Sequence, residues 1–223
     1  MKEKILVVAA HPDDDILGCG GTLKKLKNNN AHITVVYFTD GVTSRENYTQ
    51  KDKLFRKSNA EKAAKIIGYN KIIHFDLHDQ RLDEYPLISL TQKLEKVLFK
   101  LKPTTIFTHF HNDLNADHQI VNKVVLTATR PNIHFCISKI LFFEVLSSTE
   151  WNYNNSINFS PNYFVNISIT LDDKIDAFKK YTKEIRKYPH PRSIEGIKNL
   201  AKYRGMQAGI NYSEAFMLGR IIS

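Results

Sequence analysis

Four short apolar runs rich in β-branched residues recur along the first half of the chain, at residues 4–9, 32–39, 71–76 and 104–109. Runs of that length and composition read as strands buried on both faces, the habit of parallel sheets. The segments between them carry apolar residues at helical spacing. Leu54, Ala60, Ala63, Ala64 and Ile67 form one such face, and Leu90, Leu94, Val97, Leu98 and Leu101 another. Gly68 and Pro103 stop these two helices, and a further helix is expected at 116–129. The alternation predicts an α/β fold: a doubly wound, Rossmann-like, mostly parallel sheet with helices on both faces. With right-handed crossovers and the common strand order 3-2-1-4, the first and fourth strands become neighbours. The loops that follow those two strands then face each other across one crevice.

The rest of the chain is less regular. Residues 140–146 and 163–169 read as two more strands, and 172–187 and 194–208 as helices. Two prolines stiffen Tyr188-Pro189-His190-Pro191-Arg192. No linker or repeat interrupts the pattern, so one domain over residues 1–223 is expected, with its C-terminal third folded over the sheet edge. A chain of 223 residues is long enough for a sizeable core. Its longest apolar runs fall short of the ~20 residues a membrane span needs. The N-terminus enters the first strand without a long signal-like h-region, and two cysteines, Cys19 and Cys136, give no disulfide framework. The expected location is the cytoplasm.

The formal charge of +9 raises the question of a polyanion partner. The lysines are scattered, however, and Lys24-Lys25-Leu26-Lys27, Lys179-Lys180 and Lys183 read as solvated helix faces. No basic face interleaved with aromatic residues accompanies them, so nucleic acid is not the expected partner. An anionic small molecule remains compatible with the charge.

The chemistry concentrates at the first strand end, in Ala10-His11-Pro12-Asp13-Asp14-Asp15. An imidazole and a carboxylate three residues apart, here His11 and Asp14, can share one divalent ion. The loop after the fourth strand reads His109-Phe110-His111-Asn112-Asp113-Leu114-Asn115-Ala116-Asp117-His118. His118, on the first turn of the following helix, is the natural third ligand. Two histidines, one carboxylate and an open position make a catalytic zinc site rather than a closed structural one. The same donors accept Fe²⁺. Asp13, beside the ligand Asp14, is placed to act as general base on water, and the sum is metal-assisted hydrolysis of an acyl bond. His32, His74 and His134 are read as structural. Gly18-Cys19-Gly20-Gly21 lacks the spacing of a dinucleotide loop and reads as a close-packed helix start, with Cys19 a small buried residue.

These residues also carry a family resemblance. Ala10 to Thr22 resembles the first signature of the PIG-L/LmbE-like deacetylases, zinc enzymes that remove N-acyl groups from amino sugars. Asp113-x-Asn115-x-Asp117-His118 resembles their second signature. Tyr203-Arg204-Gly205-Met206-Gln207-Ala208-Gly209 with Tyr212-Ser213-Glu214-Ala215-Phe216 resembles a C-terminal one. The resemblance implies His11, Asp14 and His118 as metal ligands and Asp13 as general base. It implies Asp79 as a contact to sugar hydroxyls, Arg56 as a substrate contact and Asp113 as part of the substrate site. Asn115 stands where some members have a histidine thought to stabilise the oxyanion or protonate the amine. An asparagine can donate a hydrogen bond but cannot shuttle a proton, and His111 is a substitute. Arg192 is expected to meet an anionic group. Arg204 and Glu214 either line the cleft or pair with each other. The expected substrate is an N-acetyl amino sugar of the N-acetylglucosamine type, free, nucleotide-linked or glycoside-linked. Two rivals differ in class: a zinc hydrolase of a non-sugar amide, separable by a substrate panel, and a nucleotide- or polyanion-binding module, indifferent to chelators.

Overall fold

A computed structural model describes residues 3–131, 137–153 and 157–222; His134 and Cys136 lie outside them. The first half alternates as its sequence pattern requires: β1 (Lys4–Ala9), α1 (Asp14–Asn28), β2 (His32–Thr39), α2 (Gln50–Ile67), β3 (Lys71–Leu77), α3 (Leu87–Leu101), β4 (Thr105–His109) and α4 (Ala116–Ala128). Then follow β5 (Lys139–Phe143), β6 (Tyr163–Asn166), α5 (Leu171–Phe178), α6 (Ile194–Ala208) and β7 (Ser213–Ile221). The seven strands form one sheet in the order β3-β2-β1-β4-β5-β7-β6. The expected 3-2-1-4 core is present, with every pair from β3 to β5 parallel.

Side chains of β1 alternate between two cores, because successive residues of a strand point to opposite faces. Ile5, Val7 and Ala9 enter the layer formed with α1, α2, α5 and α6, while Leu6, Val8 and Ala10 enter the layer formed with α3 and α4. Both faces of the central strands are buried in apolar clusters, which is why these strands read as continuous apolar runs rather than alternating ones. Local chemistry sets the helix ends. Thr49 and Asp52 close a capping box on α2, and Gly68 ends it in the left-handed region at φ 95°.

The C-terminal third departs from expectation in three places. It extends the sheet as well as covering it, because β7 inserts antiparallel between β5 and β6. That strand was not expected, although Ala215-Phe216-Met217-Leu218 forms a short apolar run within it. The expected strand at 163–169 stops at Asn166. The expected helix over 172–187 ends at Phe178, and the chain continues in tight turns in which the Tyr181 and Glu184 amides donate to Phe178 and Tyr181 carbonyls. Those turns aim Tyr181 and Glu184 inward, where both are buried. Arg204 and Glu214 do not pair with each other. Arg204 grips Glu144 through Nε and Nη2 at 2.8 and 2.7 Å. Glu214 holds Lys174 at 2.6 Å and accepts from the Gly21 and Thr22 amides at 3.0 and 2.6 Å.

Close packing explains the glycine-rich turn of α1, where a β-carbon on Gly18 or Gly21 would press on Phe143 or Ile167. Cys19 is non-helical at φ −146°, so the helix is kinked there, and Glu214 takes up amides just beyond it. Gly18 packs directly on the Phe143 ring of β5, with no room for a β-carbon. Gly18→Ala is therefore expected to destabilise the fold by about 1–3 kcal/mol through overpacking. Urea unfolding of the purified variant measures it.

Candidate metal centre

The parallel pairing of β1 with β4 brings the two predicted loops together. The Ala10 amide donates to His109 Nε2 at 2.8 Å, tying the strand ends. His11 follows β1 and His118 sits in the first turn of α4. His11 Nδ1 lies 3.2 Å from His118 Nε2, and these nitrogens lie 3.1 and 3.3 Å from Asp14 Oδ2. All three side chains are buried. Asp14 Oδ2 also accepts the His11 amide at 2.8 Å, while Asp14 Oδ1 is buried without a partner. Two imidazole nitrogens and a carboxylate, converging on one point with a carboxylate oxygen to spare, fit a divalent ion of the zinc class.

Charge within the cluster follows from its packing. Burial opposes ionisation, but His118 and His11 outweigh it and hold Asp14 well below the usual carboxylate range. Burial likewise disfavours the His118 cation, yet Asp14 and Asp113 lift His118 to about 9.

The outer faces of both histidines meet carboxylates. His118 Nδ1 lies 3.1 Å from Asp113 Oδ1. Asp113 is itself fixed by the Ser148 hydroxyl, by Thr149 Oγ1 at 2.5 Å and by the Asn115 amide at 2.9 Å. His11 Nε2 lies 3.0 Å from Asp79 Oδ1 and 3.3 Å from Asp117 Oδ2. Asp117 accepts the Gln80 and Leu82 amides at 2.8 and 3.0 Å, and Asp79 accepts Ser44 Oγ at 2.5 Å. His11, Asp79 and Asp117 form a second group with ligand spacing. Their bonds to protein donors suit those carboxylates better to orienting His11 than to holding an ion. Asp79 and Asp113, expected beside the substrate, thus have oxygens turned to the histidines.

Asp13 caps α1 at φ 131° and ψ −23°, a left-handed conformation that strains a non-glycine residue. The turn points its carboxylate away from Asp14. Asp13 Oδ2 lies 3.1 Å from Arg56 Nη2 and 3.5 Å from Arg192 Nη1. Burial pushes the Asp13 carboxyl upward, and the two arginines only partly offset it. Arg56 also contacts Glu184 at 2.6 Å and stacks on the Tyr181 ring. Asn115 caps α4, its Oδ1 accepting the Asp117 and His118 amides at 2.9 and 3.4 Å. His111 is half-buried against the Phe110 and Phe142 rings, and burial lowers its pKa.

Three residues here had no assigned role in the sequence. His109 stacks on His118 with ring centroids 3.9 Å apart. Its place at a strand end beside the motif was the available signal. Asp117 stood inside the second motif without a distinct local cue. Glu184 lay in a segment patterned as a solvated helix, and nothing in the sequence marks it as buried.

Because His118 holds a proton near neutrality without metal, an incoming ion must displace it. Zinc affinity is expected to rise with pH up to about 9, by about tenfold per pH unit for each proton displaced from His118 and from His11, which, against burial, its carboxylate neighbours also hold above its usual range. Calorimetry in buffers of different ionisation enthalpy would show the proton release. Asp113→Ala is expected to weaken zinc binding about 10–100-fold by freeing the His118 ring, measured by competition with a chelator.

Residues 6–129 match the sequence profile of the PIG-L family, described as GlcNAc-PI de-N-acetylase. The chain is similar to a diacetylchitobiose deacetylase of Thermococcus kodakarensis, at 23% identity over 95% of this chain and 81% of that one. Its fold matches the conserved protein TT1542 from Thermus thermophilus, with a TM-score of 0.80 and 24% identity, covering 100% of this chain and 97% of the other. It also matches GalB, the 4-carboxy-2-hydroxymuconate hydratase of Pseudomonas putida KT2440, with a TM-score of 0.77 and 20% identity over 99% and 98% of the two chains. The architecture thus serves more than one reaction, and shape alone does not choose among them. Among the described residues no helix is long and apolar enough to cross a membrane. The strand-end motifs, the sheet that joins them and the family profile agree: the chain belongs to the PIG-L family.

Proposed function

We propose that the chain is a zinc-dependent N-deacetylase that hydrolyses the acetamide of a small N-acetyl amino-sugar conjugate of the N-acetylglucosamine type. The observation that carries this reading is the placement of Asp13. A general-base candidate sits one residue from a ligand and points to a different side of the turn, toward Arg56 and Arg192. Family membership and the deacetylase from Thermococcus support an N-acetyl substrate. His11, Asp14 and His118 would hold the ion, which supplies Lewis-acid chemistry for the acyl carbonyl and makes water a better nucleophile near neutral pH.

The chain's own groups perform the remaining steps. Asp13 accepts a proton from the attacking water, and its raised proton affinity and buried setting suit it to that task. Water oxygen bonds to the acyl carbon, the C–N bond then breaks, and a proton reaches the leaving nitrogen. The products are acetate and a free amine. Asn115, its oxygen engaged by the helix cap, has amide hydrogens left to donate to the oxyanion. Asn115 has no titratable proton, so Asp13 is the group that returns one to the amine, with His111, on the same loop as Asn115, the alternative. Arg56 keeps Asp13 oriented, while Asp79, Asp113 and Asp117 hold the histidines.

Asp13→Asn is expected to retain zinc while losing about 10²–10⁴-fold in kcat. Metal content and acetate release from N-acetylglucosamine derivatives test this together. A chelator should abolish turnover and added zinc restore it. Wild-type turnover by Asp13→Asn would remove Asp13 from its role, and chelator-resistant activity would remove the metal.

A further inference from the structure

Three guanidiniums meet at one buried carboxylate beside Asp13. Glu184 Oε1 lies 2.6 Å from both Arg56 Nη1 and Arg45 Nη2, and Glu184 Oε2 lies 3.7 Å from Arg192 Nη1. Arg56 and Arg192 also reach Asp13. Three cations therefore share two carboxylates in direct contact. Asp79 acts on Arg56 only through space, because its oxygens are turned to His11 and Ser44.

The three arginines are not equivalent. The Arg56 side chain is 7% exposed and has a buried Nε without a hydrogen-bond partner. Arg45 and Arg192 are 40% and 20% exposed, so they form the open side of the cluster. The 3.5 and 3.7 Å contacts of Arg192 are too long for good hydrogen bonds. Each guanidinium presents five donors in a fixed fork suited to carboxylate or phosphate, and most of the donors on Arg45 and Arg192 are free of protein acceptors. Buried Glu184 holds Arg45 by direct contact and lies beside Arg192, limiting what either loses on binding an anion.

We propose that Arg45, anchored by Glu184, and its neighbour Arg192 form a subsite for an oxyanion, carboxylate or phosphate, on the group attached to the N-acetyl sugar. This rests on the deacetylase reading and narrows it to acidic conjugates. The subsite adjoins Asp13, so the anion lies close to the acetamide rather than at the end of a long chain.

The test compares acetate release from three matched compounds: methyl N-acetylglucosaminide, carboxymethyl N-acetylglucosaminide and N-acetylglucosamine 1-phosphate. At least one acidic compound should exceed the neutral one about tenfold or more in kcat/KM, chiefly through KM, and the better of the two identifies the oxyanion. Arg45→Gln, a change in an exposed loop, should remove most of that preference, and added salt should shrink it in the wild type. Equal kcat/KM on neutral and acidic compounds overturns the proposal, as does an Arg45→Gln variant that keeps the wild-type ratio. If none of the three releases acetate, the deacetylase reading falls. Calorimetric titration with inorganic phosphate then decides the subsite separately. Binding that is lost in Arg45→Gln supports it, and no binding to the wild type overturns it.

Discussion

The hydrogen-bonded parallel contact between β1 and β4 is the interaction on which the rest depends. It aligns Val7 with Phe107 and Val8 with Thr108, so both strands run out at the same level. His11 and the α4 residue His118, 107 positions apart, then meet within 3.2 Å. Burying this many polar groups is costly unless each finds a partner. Here the partners come from three strand ends: the Ala10 amide after β1 for His109, Asp113 after β4 for His118, and Asp79 after β3 with Asp117 of α4 for His11. The crevice at the topological switch point is thus a polar network enclosed by two apolar layers.

Three consecutive aspartates acquire three different environments because the chain turns sharply at Asp13. Asp13 points to Arg56 and Arg192, and Asp14 to the two histidines. Asp15 points into the α2 side and accepts the Tyr69 hydroxyl at 2.6 Å, while burial raises its pKa to about 6. One backbone conformation therefore separates a ligand from a base candidate. The strain at φ 131° is held by the α1 hydrogen bond from the Leu17 amide to the Asp13 carbonyl at 2.9 Å and by the side-chain contacts of Asp13.

The C-terminal segment supports this turn from below. Lys174 donates to the Leu17 carbonyl at 2.7 Å and to Glu214, and Glu214 takes the amides beyond the kink in α1. The residues after α5 then carry Tyr181 and Glu184 under Arg56. The last third of the chain thus braces the metal turn from one side and its arginines from another.

The fold core was legible in the sequence because buried parallel strands and amphipathic helices write their periods locally. The 3-2-1-4 order, the crevice and the trio His11, Asp14 and His118 follow from those periods and from strand-end chemistry. What lay beyond reach is non-local. Strand β7 carries only the short apolar run 215–218, and its antiparallel place depends on the open edge that β5 presents. The inward turn of Tyr181 and Glu184 overrides a helical periodicity, because buried Arg56 meets the Glu184 carboxylate at 2.6 Å. The partners of Arg204 and Glu214, and the facing of Asp79 and Asp113 toward histidines, were likewise set by packing. Sequence alone determined which side chains gather at the strand ends, since that follows from local propensity and sheet topology. Only the tertiary structure decided which carboxylate each cation meets, since that depends on distances between segments far apart in the chain.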